Sequence, residues 1–185
     1  MCFITGNKIC LREVRESDLE IFQRYRNNYT DSINYRTIRP LTSENQKNYW
    51  LNVINNDKHI VFTILEKCTH KVIGEIRISN IDQYKAGEIG LWIVPEERHK
   101  GMASESLQLL LEFIFGRANI NRIEAQIAST NKDSVKFFTK NQFKCEGILR
   151  EATYYDFKYQ NVIIMSMLKQ EYIDSKEKSS LKKEQ

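Results

Sequence analysis

Apolar residues along this chain change their spacing several times, and each change marks an element. Lys8 to Val14 (KICLREV) alternates and reads as a first strand. Glu16, Ser17 and Asp18 then offer caps to a helix reaching about Arg26, with Leu19, Phe22 and Tyr25 at helical spacing. Residues 26–40 are polar and irregular, and carry Tyr29, Tyr35, Arg36 and Arg39. A loop of this kind serves either as a substrate lid or as plain connection. Thr42, Ser43 and Glu44 open a second helix that turns Tyr49, Trp50, Val53 and Ile54 toward the core. His59 to Glu66 is rich in β-branched residues. Cys68-Thr69-His70 turns the chain, and Val72 to Ser79 returns as a hairpin partner.

The most informative stretch runs from Glu88 to Phe115. A β-branched strand, Glu88 to Val94, meets Pro95, five charged or ionisable residues (Glu96 to Lys100) and Gly101. A helix over Ala103 to about Phe115 follows, with Leu107, Leu110, Leu111 and Ile114 on one face. Arg122 to Ala128 is a further strand, and Asn131 to Ser134 caps a short helix bearing Val135, Phe137 and Phe138. Phe143 to Arg150 extends again, Glu151 to Gln160 turns, and Val162 to Leu168 closes the fold. Antiparallel strands feeding one strand-turn-helix unit predict a mixed α/β sheet. Residues 1–170 read as one domain, and the charged tail 171–185, poor in apolar residues, as disordered.

A chain of 185 residues supports one sizeable core. With 41% hydrophobic and 28% charged residues it is not a disordered polymer. The net charge of +4 arises from 28 basic and 24 acidic residues spread along the whole length, so no clustered basic face for nucleic acid is indicated. Cys2, Cys10, Cys68 and Cys145 show no Cys-x-x-Cys pairing and no histidine at metal spacing. Neither a disulfide framework nor a metal site is expected, and a reducing cytoplasm is the default. No signal-peptide core and no apolar run of about 20 residues appears, so no membrane association is expected.

Gly101 can adopt backbone angles closed to other residues, and the first amides of the helix behind it lack partners. Those amides, the positive end of the helix dipole, and Arg98 and Lys100 together suit a phosphate or pyrophosphate, with Ser104 adding a hydroxyl. Neither a P-loop nor a Gly-x-Gly-x-x-Gly fingerprint is present. Arg98-His99-Lys100-Gly101-Met102-Ala103 instead resembles the Arg/Gln-x-x-Gly-x-Gly/Ala motif of the GNAT superfamily of acyl-CoA-dependent N-acetyltransferases. A second motif, Asn131-x-x-Ser134-x-x-Phe137-Phe138 leading to Phe143, resembles the stretch that contacts the CoA arm in that superfamily. The resemblance covers roughly residues 8–168. Glu146-Gly147, Arg150-Glu151 and the strand Tyr159 to Met167 look like the branch of ribosomal-protein N-terminal and polyamine acetyltransferases.

The resemblance implies about seven mostly antiparallel strands with four helices, splayed between the fourth and fifth strands around acetyl-CoA. Ile93 and Val94 would touch the pantetheine arm. The amides of Arg98, His99, Lys100, Gly101, Met102 and Ala103 would hold the pyrophosphate, with Ser104, Asn131 and Ser134 nearby. Glu88 is the candidate base, with Glu151 and Glu75 as alternatives, and an amide near Val94 would polarise the thioester. Phe138 stands where many members carry an acidic tyrosine, which leaves Ser134 to meet the departing sulfur and Tyr154, Tyr155 and Tyr159 as other proton sources. Gln142 replaces the usual glycine before Phe143, a change of turn geometry. A covalent acetyl-Cys145 is disfavoured, since no histidine lies within local reach. The expected reaction is direct transfer in a ternary complex to a primary amine on a small molecule, such as an amino sugar nucleotide, or on a protein N-terminus. The basic and aromatic stretch Arg24 to Arg39 favours an anionic or sugar-like acceptor. A polyamine acceptor, a non-catalytic acyl-CoA-binding module and a homodimeric assembly stay open.

Overall fold

The alternation read in residues 60–93 becomes an antiparallel ladder. In the computed structural model, which describes residues 1–28, 40–84, 86–155 and 157–181, strands β3 (Ile60–Glu66), β4 (Val72–Ser79) and β5 (Ala86–Ile93) pair in succession. On their outer side lie β2 (Ile9–Arg12) and a short β1 (Ile4–Thr5). Beyond β5 come β6 (Arg122–Ala128), β8 (Lys158–Leu168) and the edge strand β7 (Lys144–Tyr155), giving one eight-stranded sheet ordered β1-β2-β3-β4-β5-β6-β8-β7. All its pairings are antiparallel except β5 with β6. The residues 29–39 that carry most of the supposed lid lie outside the described residues.

Helices cover both faces, and their sequences say which. Helix α1 (Leu19–Arg26) brings Phe22 edge-on to Trp92 of β5, and α2 (Ser43–Ile54), capped by Thr42 through the amide of Asn45, packs Trp50 against Phe22. Helix α3 (Met102–Gly116) buries Leu107, Leu110, Leu111 and Ile114 on the opposite face, where Phe113 meets Phe62 of β3 edge-on. Helix α4 (Lys132–Lys140) follows β6. Each such apolar side chain contributes about 1.5–3 kcal/mol when fully buried, so the two layers hold the sheet between them.

A buried ion pair pins β2 to the start of α1. Asp18, 1% exposed, accepts two hydrogen bonds from the Arg12 guanidinium at 2.7 and 2.8 Å, one from the Arg15 amide and one from the Thr63 hydroxyl. Burial pushes its carboxyl upward, but the four donors outweigh it and hold the carboxyl below its ordinary range. The stabilisation is therefore present above the unfolded pKa and is lost as pH falls through the lower folded one. Asp18→Asn is expected to cost about 3 kcal/mol at neutral pH, since Arg12 is left buried without its counter-charge. Urea unfolding at pH 7 and pH 3 checks this, and the gap between variant and parent should shrink at the lower pH.

Four differences from the sequence reading have physical causes. The sheet has eight strands rather than about seven, because β1 is only two residues long and too short to show periodicity. The described residues form five α-helices rather than four, because Lys169–Leu181 is helical (α5) where a disordered tail was expected. Its anchor is Tyr172, 8% exposed beside Phe115 at 5.3 Å, whose phenol burial pushes up to about 12. Cys2 and Cys10, expected to stand alone, are joined as a disulfide, because β1 folds back on β2. The β7–β8 hairpin begins at Lys158, ahead of the expected Val162, so much of the stretch read as a turn is strand.

Gln142 keeps the left-handed backbone that its usual glycine would supply, with φ 67°. The turn geometry is retained, at the cost of holding a side chain in a region that disfavours it. Gln142→Gly removes that cost of about 1–2 kcal/mol and adds unfolded-state entropy worth roughly 0.5–1, so a net gain of about 0.5–1 kcal/mol is expected. Chemical denaturation of the two proteins measures it.

Candidate active site between the parallel strands

Strands β5 and β6 pair only at Ala86↔Arg122, Gly87↔Ile123 and Glu88↔Glu124. Past Glu88 the two strands part, and the opening lies at their C-terminal ends, where α3 and α4 begin. In the β4–β5 ladder the amide of Val94 donates to the carbonyl of Ile73 at 2.8 Å. Since successive residues of a strand point their backbone groups to opposite sides, Leu91 and Ile93 direct theirs toward β6, beyond the last residue of β5 that pairs with it. The amide of Val94 itself is thus spent on β4, and the N–H next to it, that of Ile93, faces the cleft, where an amide near Val94 was expected.

From β5 the chain passes through a short 3₁₀ turn (Pro95–Glu97), an extended Arg98, and His99 and Gly101 in left-handed conformations with φ 62° and 83°. Gly101 is the N-cap of α3, and its carbonyl accepts from Glu105. The amides ahead of Glu105 belong to the helix's first turn, which has no intrahelical acceptors. A Cβ at Gly101 would meet only the Lys8 Nζ at 3.8 Å, so the space over the turn is open on the protein's side. Two side chains expected to meet a phosphate are already engaged: Lys100 pairs with Glu97 at 2.8 Å, and Arg98 Nε donates to the Ile93 carbonyl at 3.0 Å. The anion-binding capacity of this turn therefore rests on its amides and on the helix dipole.

On the other lip, Asn131 caps α4 by accepting from the amide of Ser134, which is partly exposed. Phe138 is 7% exposed and packs against Phe137 and Phe143, so it belongs to the core. Tyr154 and Tyr159 face each other across the β7–β8 hairpin at 5.1 Å and are well exposed. They lie beyond Asn161, which meets the chain just after β6, so the hairpin runs on past the C-terminal end of β6. Of Tyr155 only the backbone is described. Glu151 is exposed at a bulge in β7, with φ 49°.

Beneath α1 and α2, β4 and β5 present one polar row. Cross-strand partners share a face, so Glu75 with Trp92, Arg77 with Gly90 and Ser79 with Glu88 all lie on it, and the parallel pairing adds Glu124. Glu75 is fully buried, accepting from Arg77 at 2.7 Å and from the Trp92 indole at 3.1 Å, with Arg26 at 4.0 Å. Burial opposes the Arg77 charge, but Glu75, Tyr49 and Glu88 raise its pKa and keep it protonated. Gly90 makes room for it, because a Cβ there would stand 2.9 Å from the guanidinium carbon. Arg26 lies over the Tyr49 ring at 4.9 Å. Among the described residues, Nε of Arg26, Nε1 of Trp50 and both amide atoms of Gln46 are buried without hydrogen-bond partners, which leaves polar capacity unspent under these helices.

The sequence reading found Glu88 and kept Glu75 as an alternative, but missed Arg26, Arg77, Trp92 and Glu124. The signal for Arg77 was present: Glu75-x-Arg77 within the otherwise apolar strand VIGEIRIS places opposite charges on one face. Glu124 and Glu88 meet only through the parallel register. Arg122 bonds Glu124 at 3.2 Å and also holds Glu146, whose carboxyl it and Ser166 pull down to about 2.

Known proteins share this fold. The family model of the acetyltransferase (GNAT) domain matches residues 8–144. N-acetyltransferase p20 of Bacillus licheniformis is 31% identical over 170 residues, spanning 89% of this chain and 95% of that protein. Spermidine N(1)-acetyltransferase of Vibrio cholerae is 24% identical over 173 residues, spanning 93% and 99%. The crystal structure of spermidine N-acetyltransferase from Vibrio cholerae, in complex with CoA and spermine, superposes with a TM-score of 0.86 at 21% identity, over 91% of this chain and 99% of that one. With its splayed β5–β6 pair and a family match across most of its length, the chain belongs to the GNAT family and is an N-acetyltransferase.

Proposed function

We propose that the chain, acting through one domain over residues 1–170, moves an acetyl group from acetyl-CoA to a primary amine by direct transfer in a ternary complex. The observation that carries this reading is the parting of β5 and β6 just past Glu88, with a helix N-terminus at each lip. Acetyl-CoA enters the gap with its pyrophosphate on the amides from His99 to Ala103 and near Ser104; the Arg98 amide, expected among them, donates to the Pro95 carbonyl at 3.2 Å instead. Its pantetheine arm runs along Ile93 and Val94, with Asn131 and Ser134 opposite. The CoA complex of the Vibrio cholerae protein supports this placement at the level of the fold.

The chemistry needs a free amine, a polarised thioester and a stabilised thiolate. Glu88, half-buried where the strands part, takes the ammonium proton through water. The Ile93 amide faces the thioester oxygen, and the Ser134 hydroxyl meets the leaving sulfur. No metal enters these steps.

Two acceptor classes suit different parts of the polar face. Glu88 beside Glu124 suits an alkyl polyamine, the substrate class in the names of the Vibrio cholerae relatives. Arg26 and Arg77 suit an amine that also carries an anionic group, such as an amino sugar nucleotide, or the peptide carbonyls that follow a protein N-terminus. Thiol release from acetyl-CoA, measured against polyamines, amino sugar nucleotides and peptides with free N-termini, decides. Turnover with one class establishes the enzyme and its acceptor. Calorimetric binding of acetyl-CoA with no turnover on any amine would overturn the catalytic reading and leave an acyl-CoA-binding module.

A further inference from the structure

Away from the cleft, three side chains with metal-binding atoms converge. The sulfurs of Cys2 and Cys10 and an imidazole nitrogen of His70 all lie within 4.8 Å of one another. Sequence spacing hides this group, because His70 belongs to the turn between β3 and β4. That turn is held on the β1–β2 hairpin by two hydrogen bonds: the Lys67 amide to the Lys8 carbonyl at 2.9 Å, and the Lys67 ammonium to the Gly6 carbonyl at 2.8 Å. His70 is exposed and has a left-handed backbone with φ 57°, while Cys10 is fully buried and Cys2 partly so. The cluster thus has two sulfurs on its inner side and an opening through the histidine.

We infer that Cys2, Cys10 and His70, when the two cysteines are reduced, form a site for a thiophilic divalent cation, with zinc as the best-suited ion. Two thiolates and an imidazole are zinc's preferred donors, and a water completes the tetrahedron. On one zinc ion, two sulfurs stand about 3.7 Å apart and sulfur and nitrogen about 3.5 Å, from bonds of roughly 2.3 and 2.0 Å. The spread of the cluster admits these distances once the disulfide opens. The disulfide is the oxidised, metal-free form of the same site. A phosphine reductant breaks the sulfur–sulfur bond and ends as phosphine oxide, with its oxygen from water, leaving two thiols. Zinc uptake then releases their two protons.

The bound ion would tie β1, β2 and the β3–β4 turn together. The same hairpin reaches the phosphate-binding turn, since Lys8 Nζ donates to the Lys100 carbonyl at 3.1 Å and the amides of Asn7 and Lys8 donate to Glu105 on α3. Zinc is therefore expected to raise the melting temperature of the reduced protein.

The test uses untagged full-length protein reduced with a phosphine. A thiol count should rise from two, for Cys68 and Cys145, to four. Zinc should then bind with a stoichiometry of one, in competition with a chromophoric chelator, and cobalt should give a thiolate-to-metal charge-transfer band. Cys2→Ser should abolish the band. His70→Asn, which tolerates the left-handed backbone, should weaken zinc binding by more than about 100-fold, beyond the loss typical of outer-shell partners. Cys68→Ser should change nothing. Failure of the thiol count to rise, absence of zinc binding in the reduced parent, or undiminished binding in Cys2→Ser would each overturn the site, as would loss in Cys68→Ser.

Discussion

Gly101→Val is expected to lower affinity for acetyl-CoA by about 10²- to 10⁴-fold while leaving the sheet intact. The reason is conformational before it is steric. Gly101 sits at φ 83°, and a Cβ there meets nothing nearer than the tip of Lys8 at 3.8 Å, so the protein itself has room for a larger residue. Residues with a Cβ lose about 1–2 kcal/mol in the left-handed region, and β-branched residues are its clearest outliers. The turn therefore relaxes, and the amides from His99 to Ala103 lose their arrangement over the turn. Each hydrogen bond to a charged group is worth about 1.5–3 kcal/mol, so losing two costs about 3–6 kcal/mol, which is the stated range in affinity. The engagement of Lys100 with Glu97 and of Arg98 with the Ile93 carbonyl sharpens the prediction, because these side chains are not held ready to replace the amides. Titration calorimetry with acetyl-CoA reads the loss, and circular dichroism checks the fold. Unchanged affinity would take the pyrophosphate away from this turn.

Glu88→Gln is expected to lower kcat by about 10²- to 10⁴-fold, the usual worth of a positioned general base, with cofactor affinity retained. The substitution keeps shape and hydrogen-bonding reach but removes proton uptake. Glu88 pairs with Ser79 on one side and Glu124 on the other, where the sheet opens, and Arg77 acts on it electrostatically. The variant's deficit should shrink as rising pH frees the amine in solution. Full activity at every pH would move the base to another carboxylate of the same row, with Glu75 and Glu124 the next to replace.

Much of this protein was legible from one-dimensional pattern, because most of its elements announce themselves locally. The β-branched runs of β3, β4 and β6, the Thr42 cap of α2 and the Asn131 cap of α4 each rest on residues within a few positions of one another. So does the turn ahead of α3, where the need for positive φ at Gly101 is written in the residue itself. The six residues from Ser129 to Ser134 likewise suffice to leave a strand and cap a helix. What failed was whatever depended on a distant partner. Helix α5 is set by Tyr172 against Phe115, and β1 by pairing with β2.

Sequence alone therefore determined the class of fold, the family and the two turns that open helices α3 and α4, because these are fixed by short-range backbone preferences and by motifs of a few residues. Tertiary structure decided which charges share a space. Glu88 meets Glu124 only because β5 and β6 run parallel for three residue pairs, Arg77 settles over Gly90 only because no Cβ stands there, and Cys2, Cys10 and His70 converge only because a hairpin and a turn bond together. Electrostatic and metal-binding chemistry depends on distances of a few ångströms, and sheet register sets those distances between residues that lie far apart along the chain.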